Sequence, residues 1–162
     1  MAFCTRVFCQ DEPGPTISDV LMWLRQHDTP VMIVGGESAT DLVNPWWTEV
    51  QLAYQPDEPP LAIRCHRRSD PTGSPRLDDE LRDFNDDLAE LPESPEREHI
   101  LRHLAMTVFV VVVEFPTQGV IPRAYETNGW LMSVFVERAG GMVQCDGIGF
   151  YDGDDEVTLR LG

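Results

Sequence analysis

The chain contains no lysine. Its 12 basic residues are all arginine, set against 28 Asp and Glu, and the formal net charge is −16 over 162 residues. The missing amine excludes a P-loop nucleotide site, a Schiff base to a carbonyl or to pyridoxal phosphate, a kinase-type phosphate lysine and a Ser–Lys dyad, each of which needs that group at the reacting atom. The shortage of positive charge argues against nucleic acid, because phosphate binding requires clustered cations. It disfavours anionic lipid surfaces for the same reason. Long apolar runs are also lacking. The longest, Val108 to Val113, has the length of a strand, far short of the ~20 residues of a membrane span. The start, Met1-Ala2-Phe3-Cys4-Thr5-Arg6, has neither the basic residues nor the apolar stretch of a signal peptide, so a soluble, cytoplasmic protein is the expectation. The 4 cysteines (Cys4, Cys9, Cys65 and Cys145) include no CxxC pair. Reduced thiols, with no disulfide and no zinc, are expected in that compartment.

What remains is ample for a core, with 42% hydrophobic residues. Phe3 to Cys9 alternates as a strand. Ile17, Val20, Leu21 and Leu24 follow at helical spacing behind Thr16 or Ser18 as cap. Val31 to Val34 is a short strand. Trp46 to Tyr54 and Leu61 to Arg67 form a hairpin around Pro56-Asp57-Glu58-Pro59-Pro60. Leu77, Leu81, Phe84, Leu88 and Leu91 make one stripe of an amphipathic helix. Ser94-Pro95 caps and opens another, which carries Ile100, Leu101 and Leu104. Thr107 to Phe115 is apolar on both faces and needs cover on both. Asn128 is placed to cap a last helix through Leu131, Val134 and Phe135, closed by Gly140-Gly141. Strands Met142 to Asp146 and Glu156 to Leu161 flank a turn at Asp152-Gly153-Asp154-Asp155.

This order predicts one α+β domain over residues 1–162: a ferredoxin-like β-α-β-β-α-β core over 1–115 and an α-β-β extension over 125–162. A mixed sheet is expected, with Phe3–Cys9 and Thr107–Phe115 central and the helices bearing Leu24 and Leu88 on one face. The extension would cover the other face or lengthen the sheet. The tail Asn128-Gly129-Trp130 … Gly140-Gly141-Met142-Val143-Gln144-Cys145-Asp146-Gly147-Ile148-Gly149-Phe150-Tyr151-Asp152 resembles the end of a group of uncharacterised bacterial proteins. The resemblance implies no activity, because that group has none assigned.

No catalytic residue, metal ligand or cofactor is expected. The carboxylates Asp146, Asp152, Asp154, Asp155 and Glu156 lack EF-hand spacing and suit a hairpin turn. Cys65 and His66, being adjacent on a strand, point to opposite faces and cannot share a site. His99 and His103 stand i, i+4 without an HExxH frame and read as a solvated face. Gly35-Gly36-Glu37-Ser38 lacks the GxGxxG pattern and reads as a loop.

Two surfaces invite function. Asp78 to Glu98 holds ten acids against Arg82 and Arg97, half of the net charge. Asp79, Glu80, Asp83, Asp86, Asp87 and Glu90 on this helix suit docking to a basic protein, which points to an acidic antagonist or immunity-type partner. The polar side of the sheet gathers Arg6, Glu49, Arg64 and His66, whose charges would pair across strands. That face offers the alternative, a small-ligand-binding protein or an enzyme. A pocket lined by Arg6, Arg64 and His66 favours the ligand reading, and a flat sheet beside an exposed acidic helix favours docking.

Overall fold

The computed structural model describes residues 3–116, 119–151 and 157–161. The elements run β1 (Cys4–Cys9), α1 (Ile17–Gln26), β2 (Met32–Gly35), β3 (Glu49–Ala53), β4 (Leu61–Arg67), α2 (Ser74–Ala89), α3 (Pro95–Ala105), β5 (Phe109–Glu114), α4 (Pro122–Ala139), β6 (Met142–Cys145), β7 (Gly149–Tyr151) and β8 (Val157–Arg160). The strands form one eight-stranded sheet in the order β2-β3-β4-β5-β1-β6-β7-β8. Every pairing among the described residues is antiparallel.

Local signals explain three of the helix ends. Thr16 and Asp19 close a reciprocal capping box on α1, satisfying two backbone donors at the helix start. The Ser94 hydroxyl accepts from the Arg97 amide ahead of Pro95 on α3. Gly140 ends α4 at φ 60°, in the left-handed conformation glycine adopts freely. β5 and β1 sit at the centre of the sheet, as the apolar run of β5 requires.

The sheet overturns several expectations. It is antiparallel throughout rather than mixed. A ferredoxin-like plan would seat β1 between β5 and β4, whereas here β5 lies between β1 and β4. The helices bearing Leu24 and Leu88 cover opposite faces. α1 and α4 bury Ile17, Val20, Leu24, Leu131 and Phe135 against Val7, Ile63, Val111 and Val113. α2 and α3 bury Leu77, Phe84, Leu88, Ile100 and Leu104 against Phe8, Val110, Met142 and Phe150. The reason is β5 itself: a central strand apolar on both sides leaves too much uncovered surface unless helices close both faces. The C-terminal block does both things expected of it, since α4 covers one face and β6 to β8 lengthen the sheet. α4 begins at Pro122, so Asn128 is not its cap but a buried residue inside it. β7 was not anticipated. Gly149 sits at φ 143° where a Cβ would meet the Leu159 carbonyl at 2.1 Å, and that glycine breaks the alternation by which a strand is recognised. β2 is shifted one residue along from the expected Val31–Val34, β3 is shorter than its alternating pattern, and Trp46 and Trp47 belong to the preceding loop.

Candidate functional site

One transverse row of the sheet sets up the site. The registers align Glu49 (β3), Arg64 (β4), Val112 (β5), Arg6 (β1), Gln144 (β6) and Phe150 (β7) on a single face. The next row runs His66, Val110, Phe8 and Met142. This face is thus polar at β3 and β4 and mixed at β1 and β6, where Arg6 and Gln144 alternate with the apolar Phe8 and Met142. α2 and α3 lie over the apolar residues. The polar part stays open as a groove.

The groove consists of two adjoining depressions of about 440 and 360 Å³ that share Arg64, His66 and Arg76. Glu37, Glu49 and Asp70 line the first. Arg6, Glu80 and Glu114 line the second. The walls are built locally. The Ser38 hydroxyl accepts from the Thr48 amide at 2.9 Å and pins the loop that carries Glu37. The Asp70 carboxylate accepts from the Thr72 amide at 3.1 Å, and the Asp70 carbonyl accepts from the Ser74 amide at 2.8 Å, leading the chain into α2.

The four residues expected on this face all line the groove but differ in availability. Arg6 is committed: its Nε donates to Glu80 at 2.5 Å, its Nη1 donates to Asp146 at 2.7 Å and to Gln144 at 2.8 Å, and its guanidinium lies over Phe84. Burial pushes the Glu80 carboxyl above its ordinary range, against the pull of Arg6. Arg64 donates to Glu114 at 3.0 Å rather than to its register partner Glu49. His66 makes no side-chain hydrogen bond among the described residues. Its pKa is held down first by burial, then by Arg76 and Arg64. Cys65 faces the opposite core, where burial pushes its thiol up to about 12, so the two share no site, as alternation requires.

Arg76 was missed. It stands in the first turn of α2 and makes no hydrogen bond or ion pair among the described residues. The signal was available. Helix N-termini favour acids, and this highly acidic helix places none in its first turn.

The acidic set splits. Asp79, Asp83, Asp86, Asp87 and Glu90 are exposed, whereas Glu80 turns in to Arg6. Asp79 pairs with Arg82, and Asp78 pairs with Arg68. Asp146 accepts from the Cys4 amide at 3.0 Å; the carboxylates at 152–156 lie outside the described residues. His103 is not on a solvated face. Its Nε2 lies 2.7 Å from the Phe8 carbonyl, and its Nδ1 lies 3.1 Å from Gln10. Among the described residues no three His, Cys, Asp or Glu converge to hold a metal, and no helix is long and apolar enough to cross a membrane.

No family model, no curated protein and no solved structure matches this chain.

Proposed function

We propose that this protein binds a small polar molecule carrying an anionic group, held in the groove between the β3–β4 face and the start of α2. The observation that carries the reading is the trio Arg64, His66 and Arg76. Two of the three have all their side-chain donors unspent among the described residues, in a chain with more than two acids for every arginine. The first turn of α2 adds its partial positive charge on the same side. Glu37 and Glu49 on the opposite wall suit a cationic or hydroxyl group on the same molecule. The net charge of −16 repels polyanions, which favours a small ligand. No residue is assigned a catalytic role.

Calorimetric titration with inorganic phosphate, simple carboxylates and zwitterionic amino acids tests this. Wild type should bind a member of the series, with affinity lost in Arg76→Ala and reduced in His66→Ala. Equal affinity in all three proteins, or no binding across the series, would remove the groove as the site.

A second reading rests on a different surface. Five exposed carboxylates on and just after α2 would speed docking to a basic protein. A pull-down from source lysate at low and high salt, comparing wild type with an Asp/Glu→Asn/Gln version at Asp79, Asp83, Asp86, Asp87 and Glu90, tests it. Identical captured proteins in both would end that reading.

A further inference from the structure

The other face of the sheet holds a cavity of different chemistry. It measures about 350 Å³ and lies between α4 and strands β1, β6 and β7. Phe3, Tyr125, Met132, Val136, Val143 and Ile148 give it mostly apolar walls. Its floor is polar and buried. Asn128 Nδ2 donates to Thr5 Oγ1 at 3.1 Å, and the Thr5 hydroxyl reaches back to Asn128 Oδ1 at 3.4 Å. That long contact is the only hydrogen bond to Oδ1 among the described residues. A carbonyl oxygen accepts two, so Oδ1 of this cavity-lining residue has acceptor capacity to spare.

The helix that forms the wall is built against its own stability at this point. Asn128-Gly129 falls in the middle of the 18 residues of α4, and both residues are poor helix formers. Gly129 is not needed by the backbone, since it lies outside the left-handed region. It is not needed for packing either: a Cβ there would find no atom within 4 Å. Gly129 is exposed and lines the cavity at its rim, so glycine there leaves the mouth of the cavity clear.

We infer that this cavity binds a non-anionic two-ring aromatic molecule bearing one hydrogen-bond donor, with the rings between α4 and the sheet and the donor on Asn128 Oδ1. Size sets the ring count, because a cavity of about 150 Å³ accepts benzene. Rings and a thioether in the wall favour an aromatic guest. Charge excludes an anion. Glu137 is the acid of the lining, no lining residue is cationic, and burial pushes the Cys145 thiol up to about 11, which keeps it neutral. An anionic amphiphile would find no counter-charge. The inference is independent of the polar groove, which lies across the sheet.

The test is calorimetric titration of the full chain with 1-naphthol and, as the charged control, 1-naphthoate. Wild type should bind 1-naphthol, with 1-naphthoate about tenfold weaker or worse. Gly129→Leu puts a good helix former at the cavity mouth. It should melt no lower than wild type by circular dichroism and should weaken 1-naphthol at least about tenfold. Arg76→Ala should leave 1-naphthol binding unchanged, which separates this site from the groove. Should Gly129→Leu fail to fold, Gly129→Ala adds one methyl and should give a smaller loss in the same direction. Absence of 1-naphthol binding, equal affinity for the two probes, or unchanged affinity in the folded Gly129 variant would each overturn the inference.

Discussion

Arg67→Lys keeps the charge of a buried side chain and should still cost the fold heavily. Arg67 is only 2% exposed and has no carboxylate partner among the described residues. Its Nη1 and Nη2 each donate at 2.8 Å, to the carbonyls of Pro13 and Pro45, and its guanidinium lies 4.7 Å from the Phe109 ring and 5.3 Å from that of Trp46. The fork ties the loop after β1 and the loop before β3 to β4. A lysine ammonium reaches one of the two carbonyls at best. Losing one charge-assisted hydrogen bond costs about 1.5–3 kcal/mol, and losing the planar contact with two rings costs about 0.5–1 kcal/mol more. The sum, about 2–4 kcal/mol, corresponds to a fall in Tm of roughly 5–15 °C for a chain of this length. Arg67→Met also strands the carbonyls. It removes the buried charge as well, and with it a desolvation cost of several kcal/mol, so it should be the milder change. Urea unfolding followed by tryptophan fluorescence gives both values, provided the m-value is unchanged. If Arg67→Lys lies within about 1 kcal/mol of wild type, or if methionine is the worse substitution, the fork geometry is not what matters and the argument fails.

Three further outcomes follow from the geometry. The pKa of His66 lies below its ordinary value through burial and the facing Arg76 and Arg64, so the folded state binds fewer protons there than the unfolded chain. Its contribution to stability is complete above about pH 6.5 and is lost as pH falls through the folded value; denaturant titrations should show a shallower acid-side decline in His66→Gln than in wild type. Neutralising Asp83, Asp86, Asp87 and Glu90 together should leave Tm unchanged or raise it, since like-charge repulsion is relieved; a clear fall in a thermal melt would mean that this row stabilises the fold. Gly141→Ala drives a Cβ to 2.4 Å from Val7 Cγ1 and 3.0 Å from the Phe135 carbonyl and should cost about 1–3 kcal/mol in chemical denaturation, against no loss for Gly129→Ala.

Elements dictated by neighbours in sequence were legible and relations between distant segments were not. The stripe from Leu77 to Leu88, the caps at Thr16 and Ser94 and the stop at Gly140 each depend on a few adjacent residues, and each stands in the structure, while Leu91, expected on the same stripe, lies just past the end of α2. Alternation correctly placed Arg6, Glu49, Arg64 and His66 on one face. It could not say which of the helices covers that face, because any amphipathic helix can bury its stripe on either side. Asn128 shows the limit at a single residue. Asparagine is a favoured cap, but this one satisfies its amide on Thr5, 123 positions away. The engagement of Arg6 by Glu80 and Asp146 is equally non-local. The groove was therefore half visible: its floor came from strand periodicity, while its wall at Arg76 depends on where α2 meets the sheet.

Arg76 is where stability and binding should part company. With 28 acids against 12 arginines, scarcity of acids does not explain an arginine that makes no ion pair among the described residues. Its groove neighbours include Arg64 and His66 as well as the acids Asp70, Asp79 and Glu80, and its position in the first turn of α2 is unfavourable for a cation. The helix end disfavours the residue in the unliganded fold. Arg76→Ala should accordingly leave thermal stability unchanged or improved while abolishing whatever anion the groove holds, the pattern of a residue kept for function at the expense of the fold. Arg76→Glu separates the two effects further: it complements the helix end and should raise Tm above that of Arg76→Ala, yet it should bind no anion. The paired measurement is a melting curve and a titration on the same samples. A clear loss of stability in Arg76→Ala with ligand binding intact would make Arg76 a structural residue and leave the groove without its main anionic contact.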